Sequence, residues 1–136
     1  MTNYFLVKPT QHLLELKNLY LCLAIGWTLL IAVLCLVSFN DLPTIGIGGA
    51  DKYVHFIFHF GFTLLWFMYV KSRSANPSLL KVGLASLCYG ISLEIAQGLF
   101  TTTRSADIFD VIANATGAGI AILVILLARR LLNNRI

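Results

Sequence analysis

The 136-residue chain is 58% apolar and only 12% charged, where a soluble domain usually carries about 25% charged residues. So few charges cannot coat a water-facing surface, which excludes a soluble globule and places the chain in a membrane. Its net charge of +4 comes from basic residues that flank apolar segments without forming one face. The charge therefore reads as membrane anchoring, and no nucleic-acid partner is expected.

The chain opens on an arm, residues 1–17. Its stretch "KPTQHLLELKNLY" predicts a short interfacial helix starting at Pro9 or Thr10. Leu13, Leu14, Leu16 and Leu19 would face lipid, with His12 and Lys17 toward water. The first apolar run starts late, is long enough to span and lacks a small-x-small exit, so a cleavable signal is not expected. The first span is read over Asn18 to Phe39, with no charge between Lys17 and Asp41. A turn-rich link, "PTIGIGG", follows it. The second span is read over Tyr53 to Val70, the tight link "RSANPS" comes next, and the third span covers Leu79 to Phe100. The fourth covers Ile108 to Ala128, before a basic tail at 129–136. Each run is near the roughly 20 residues that cross a bilayer as a helix. The expected fold is thus all-α, a polytopic membrane protein whose domain at 18–128 is a bundle of four transmembrane helices. Cys22, Cys35 and Cys88 lie inside apolar runs with no paired spacing and are expected to be small buried packing residues.

Four crossings put Lys8, Lys17, Lys71, Arg73, Lys81, Arg129, Arg130 and Arg135 on one side and leave Lys52 and Arg104 on the other. The positive-inside rule makes the first side cytoplasmic, with both termini inside. Span three then runs outward, and Glu94 lies about 9 Å below its outer end. Asn114 sits at a similar depth in span four, and His55 and His59 lie about 6 and 12 Å below Asp51 in span two. Asp51, His55 and His59 step by four residues. Gly83, Ser86, Gly90, Glu94 and Gln97 share one face of span three, and Asp107, Asp110, Asn114 and Gly117 share one face of span four. Glycines and small residues, Gly90 and Gly117 with Ala113, Ala115, Gly119 and Ala121, let the helices approach closely. These patterns predict a polar pocket opening outward.

Each polar residue also has a plainer role. Asp51 could cap span two, and acids at Asp107 and Asp110 suit the dipole of span four. His55 could be a buried, bonded histidine. The spacing of His55 and His59 fits a metal, but such pairs are common by chance, and no metal ligand is assigned. Glu94 is hardest to dismiss, because a charge at mid-membrane costs about 2.5–3.5 kcal/mol. Its pairing with Arg104, or that of Asp110 with Lys52 and Arg104, would offset much of this cost.

The blocks "DKYVHF" and "EIAQGLFTTTRSADIFDVIANATGAGI" resemble the VanZ-like family of bacterial membrane proteins over about residues 20–128. The likeness rests on Asp51, Lys52, His55, Glu94, Gln97, Arg104, Asp107, Asp110, Asn114 and Gly117, present in that order. It implies a protein of the bacterial cytoplasmic membrane with a cell-envelope role and a link to resistance to teicoplanin, a glycopeptide that binds peptidoglycan precursors. The expected partner is then a lipid-linked envelope precursor or a glycopeptide, besides the bilayer itself. Lys52 and Arg104 would contact anionic groups, and the cofactor is left open. Two other readings of the pocket stay open. In one, Glu94 or Asp110 acts as general acid or base on a lipid-linked substrate, with His55 beside it and with or without a divalent ion. In the other, the polar groups only join helices or bind a partner membrane protein.

Overall fold

The computed structural model describes residues 4–37, 50–101 and 106–134, with side chains from residue 13 onward. It consists of α1 (Tyr4–Leu36), α2 (Ala50–Arg73), α3 (Leu79–Phe100) and α4 (Ile108–Asn133). No strand occurs among the described residues. The stretch Leu13–Leu36 of α1 and the other three helices at full length are long and apolar enough to cross a membrane. The separate N-terminal helix expected from the sequence is not formed, because α1 runs unbroken through Pro9. Proline breaks a helix by lacking an N–H and crowding the preceding turn. At the sixth residue of α1 it forfeits only one of the first backbone bonds, and no turn-forming residue follows to separate the arm from the span. Ser78 caps α3, accepting from the Lys81 amide, and Asp107 caps α4, accepting from the Phe109 amide. Asp51 lies inside the first turn of α2, which begins at Ala50.

Consecutive helices alternate in direction. The C-terminal ends of α1 and α3 meet the N-terminal ends of α2 and α4, as the contacts from Gln97 to Cys35 and from Lys52 to Asp110 require. At the opposite end Phe67, Val82 and Ile125 of α2, α3 and α4 form an apolar cluster, with the Arg129 guanidinium 4.9 Å over the Phe67 ring. Among the described residues α1 packs on α2 and α3 but not on α4, while α4 packs on both α2 and α3. The cross-section is a diamond with α2 and α3 on its short diagonal.

Lipid tails are as apolar as leucine, so close packing and buried hydrogen bonds must hold such helices together. Both are present. A side chain at Gly117 would run into the Phe56 carbonyl and come within 3.1 Å of the Phe60 nitrogen, so α2 and α4 touch backbone to backbone there. Gly90 leaves room for Asn114 and His59, whose nearest atoms would stand 2.8 and 2.9 Å from an added Cβ. On α1, Trp27 lies against Gly61 and donates its indole N–H to the Phe58 carbonyl at 2.9 Å. The Tyr89 hydroxyl donates to the Thr28 carbonyl at 2.6 Å, and the Trp66 indole to the Thr28 hydroxyl at 3.0 Å. Ile31, Cys35, Phe62 and Leu93 fill the space below the polar end. Only Cys35 is buried as expected of the cysteines; Cys22 and Cys88 are exposed on the outer faces of α1 and α3. A thiol is apolar enough to sit against lipid, so an apolar run alone does not tell core from bilayer.

Replacing Gly117 with Val should destabilise the detergent-solubilised protein by about 1–3 kcal/mol or more, since the obstruction is backbone that cannot rotate away. Gly119 has nothing within 4 Å of an added Cβ, so Gly119→Ala should be neutral or stabilising by up to about 1 kcal/mol. Thermal unfolding of the two variants beside the parent checks both.

Candidate functional site

The helical steps read from the sequence bring three faces together at one end of the bundle. At the surface of this end Lys52 gathers three aspartates. Its Nζ lies 3.1 Å from Asp51 Oδ2, 3.0 Å from Asp107 Oδ2 and 3.2 Å from Asp110 Oδ1. The Lys52 and Asp107 side chains are each 35% exposed, so this layer meets solvent or headgroups. The Phe109 amide, then the Lys52 ammonium, hold the Asp107 carboxyl below the usual carboxylate range. Its contribution to stability is therefore complete above the ordinary carboxylate pKa and is lost as pH falls through the lowered one.

One layer deeper the groups are buried. His55 places Nδ1 3.2 Å from the Asn114 side-chain oxygen and 3.5 Å from Glu94 Oε1, while its Nε2 lies 3.8 Å from Asp110 Oδ2. Glu94 is only 3% exposed. Its Oε2 accepts the Asp107 backbone N–H at 3.2 Å, so the cap of α4 is tied to α3. Its Oε1 has no hydrogen-bond donor among the described residues. A turn further down, His59 Nδ1 pairs with the Ser86 hydroxyl at 2.9 Å, and Thr63 is fully buried below. Gln97 is buried as well, but it donates to the Cys35 carbonyl at 2.9 Å and so ties α3 to the end of α1.

Of the residues expected at the site, Asp51, Lys52, His55, Glu94, Asp107, Asp110 and Asn114 are in one connected cluster, and Gln97 flanks it. Arg104 lies outside the described residues. The Lys52–Asp110 pair, one of the alternatives open from the sequence, is present, and Asp51 and Asp107 join it. Glu94 meets His55 and a backbone amide. His59 and Ser86 extend the polar column inward. Their shared faces with His55 and Glu94 were visible in the sequence, but nothing there paired one with the other.

The cluster combines a partly exposed cation, a buried histidine and two buried carboxylates. Such a set can bind an anionic group through Lys52, move a proton through His55, or ligate a cation. One donor atom each from His55, Glu94 and Asp110 lies within 4.8 Å of the other two. Asp51, Asp107 and Asp110 also converge, but Lys52 already occupies the space between them.

Removing the Lys52 charge should leave three aspartates facing one another. Lys52→Met should lower the melting temperature, and Asp51→Asn added to it should recover part of the loss, read by thermal unfolding of the single and double variants. Neither the curated proteins nor the solved structures include a significant match to the chain. The family model described as VanZ/LLP1 matches residues 5–129, which takes in all four helices nearly end to end together with every residue of the polar cluster, and the chain is a member of that family.

Proposed function

We propose that this VanZ-like membrane protein binds an anionic, lipid-linked or peptidoglycan-related component of the bacterial envelope at its polar end, and that this binding underlies a role in tolerance to glycopeptides such as teicoplanin. One observation carries the proposal. A half-exposed layer around Lys52 stands directly over buried His55 and Glu94, at the bundle end where headgroups would lie. Helix joining alone would not need three carboxylates around one ammonium and a fourth beside the histidine beneath it. The basic residues Lys71, Arg73, Lys81, Arg129 and Arg130 belong to the opposite end of α2, α3 and α4. By the positive-inside rule that end is cytoplasmic, both termini are inside, and the polar cluster faces the outer leaflet of the cytoplasmic membrane. Lys52, with Arg104 from the sequence between α3 and α4, supplies charge to a phosphate or carboxylate. Asp110, Asn114 and Glu94 orient these groups and the ligand.

The contact of His55 with both Glu94 and Asp110 also supports a second reading, in which the same pocket hydrolyses or transfers a lipid-linked group. Glu94 or Asp110 is then the general acid or base.

The test uses the full chain in nanodiscs and a polyprenyl phosphate as probe. Lys52→Met and Glu94→Gln should each weaken binding about tenfold or more, with the helical signal retained. Equal binding by parent and variants, with unchanged teicoplanin sensitivity in cells carrying them, would overturn the proposal. Product analysis with a polyprenyl-linked substrate decides the second reading, which falls if no turnover is seen. A reporter fused to the C-terminus should be active only on the cytoplasmic side.

A further inference from the structure

We propose that His55, Glu94 and Asp110 form a binding site for a divalent transition-metal ion beneath the Lys52 layer. Three independent features of the deeper layer lead there. The first is the donor set. Three side chains from three different helices, each at least nine-tenths buried, bring one nitrogen or oxygen donor apiece to within 4.8 Å of one another. Tetrahedral coordination with bonds near 2.1 Å separates ligand atoms by about 3.4 Å. The approach made by the ring nitrogen that would ligate, 3.8 Å from His55 Nε2 to Asp110 Oδ2, is close to that spacing.

The second feature is an orphaned acceptor. Glu94 Oε1 is buried and has no hydrogen-bond donor among the described residues, although Oε2 is satisfied by the Asp107 amide. A carboxylate oxygen buried without a partner is costly, and in structures such charges are paired or coordinate metals. Lys52 does not serve it, because that ammonium is taken up by Asp51, Asp107 and Asp110.

The third feature is the orientation of the imidazole. The Asn114 side-chain oxygen faces His55 Nδ1 at 3.2 Å, and in the tautomer that donates to it Nδ1 carries the proton. Nε2 then presents its lone pair to Asp110 Oδ2. Two lone pairs facing each other in a dry site repel unless a cation lies between them. A histidine whose other ring nitrogen donates to an amide or carboxylate oxygen is the usual arrangement at metal centres. Imidazole with two carboxylates suits zinc or manganese better than magnesium, which prefers oxygen donors alone.

The i, i+4 pair His55 and His59 is a different constellation, since His59 turns to Ser86. The metal site concerns the pocket of the proposed function but stands on donor geometry alone. It also supplies positive charge where carboxylates outnumber the lysine, so that an anionic headgroup can approach.

The probe is Zn2+ alone, added to the full chain in detergent, without a histidine tag and after chelator stripping. Equilibrium dialysis with elemental analysis should find one Zn2+ per chain, and the ion should raise the melting temperature. His55→Gln, Glu94→Gln and Asp110→Asn should each weaken binding by about tenfold or more and abolish the thermal shift. His12→Gln, on the N-terminal arm, should leave both unchanged. Circular dichroism identifies any variant that loses its helices, and the other two then decide. The proposal is overturned if the folded parent holds less than one equivalent, or if the folded variants bind Zn2+ as tightly as the parent. Because no envelope lipid is present, failure here leaves the proposed function standing, and failure of polyprenyl phosphate binding by zinc-loaded protein leaves the metal site standing.

Discussion

The constraint on which this structure turns is the cost of ionisable groups away from water. Four carboxylates, one ammonium and a histidine stand within one end of a bundle whose outer faces are leucine, isoleucine and phenylalanine. They are affordable only together. Lys52 offsets three aspartates, Asp107 offers its amide to Glu94, and Asn114 fixes the ring of His55. No single helix could supply these partners. The polar layer therefore dictates which faces of α2, α3 and α4 meet and in what rotation, a specification that apolar packing in lipid provides weakly.

Close approach is the complementary condition. Hydrogen bonds between side chains on different helices need backbones nearer than large residues allow. Gly117 brings α4 onto the backbone of α2, and Gly90 opens the space that Asn114 and His59 share. The small residues and the polar residues are thus one device, since enlarging the first would pull the second out of register. α1 stands apart from this device. It is held by the indoles of Trp27 and Trp66 and the hydroxyl of Tyr89, and by Gln97 at its end.

Much of this was legible in the chain. Apolar runs of crossing length located the helices, with α3 read to the residue, α4 at its start and α2 within three residues at each end, because lipid forbids unpaired backbone. The steps of three and four among Asp51, His55, Glu94, Asp110 and Asn114 gave the faces, because helical geometry fixes them. Pairing was harder. Lys52 reaches three aspartates because α2 and α4 start side by side, and the sequence gives no interhelical offset from which to read this. The glutamate bonded to the cap of its neighbour was invisible for the same reason, as a backbone amide has no sequence signal. Pro9 suggested a boundary where α1 has none. The exposure of Cys22 and Cys88 was hidden because a lipid-facing position and a core position share one composition.

The division of labour among the helices bears on how the chain enters the bilayer. Synthesis runs from α1 toward α4, yet Asp110, Asn114 and the Asp107 amide all belong to the last helix or its cap. While only the first three helices have been threaded into the membrane, Glu94 and His55 have none of these companions. The nascent protein must keep that end hydrated, or shielded by the insertion machinery, until α4 arrives.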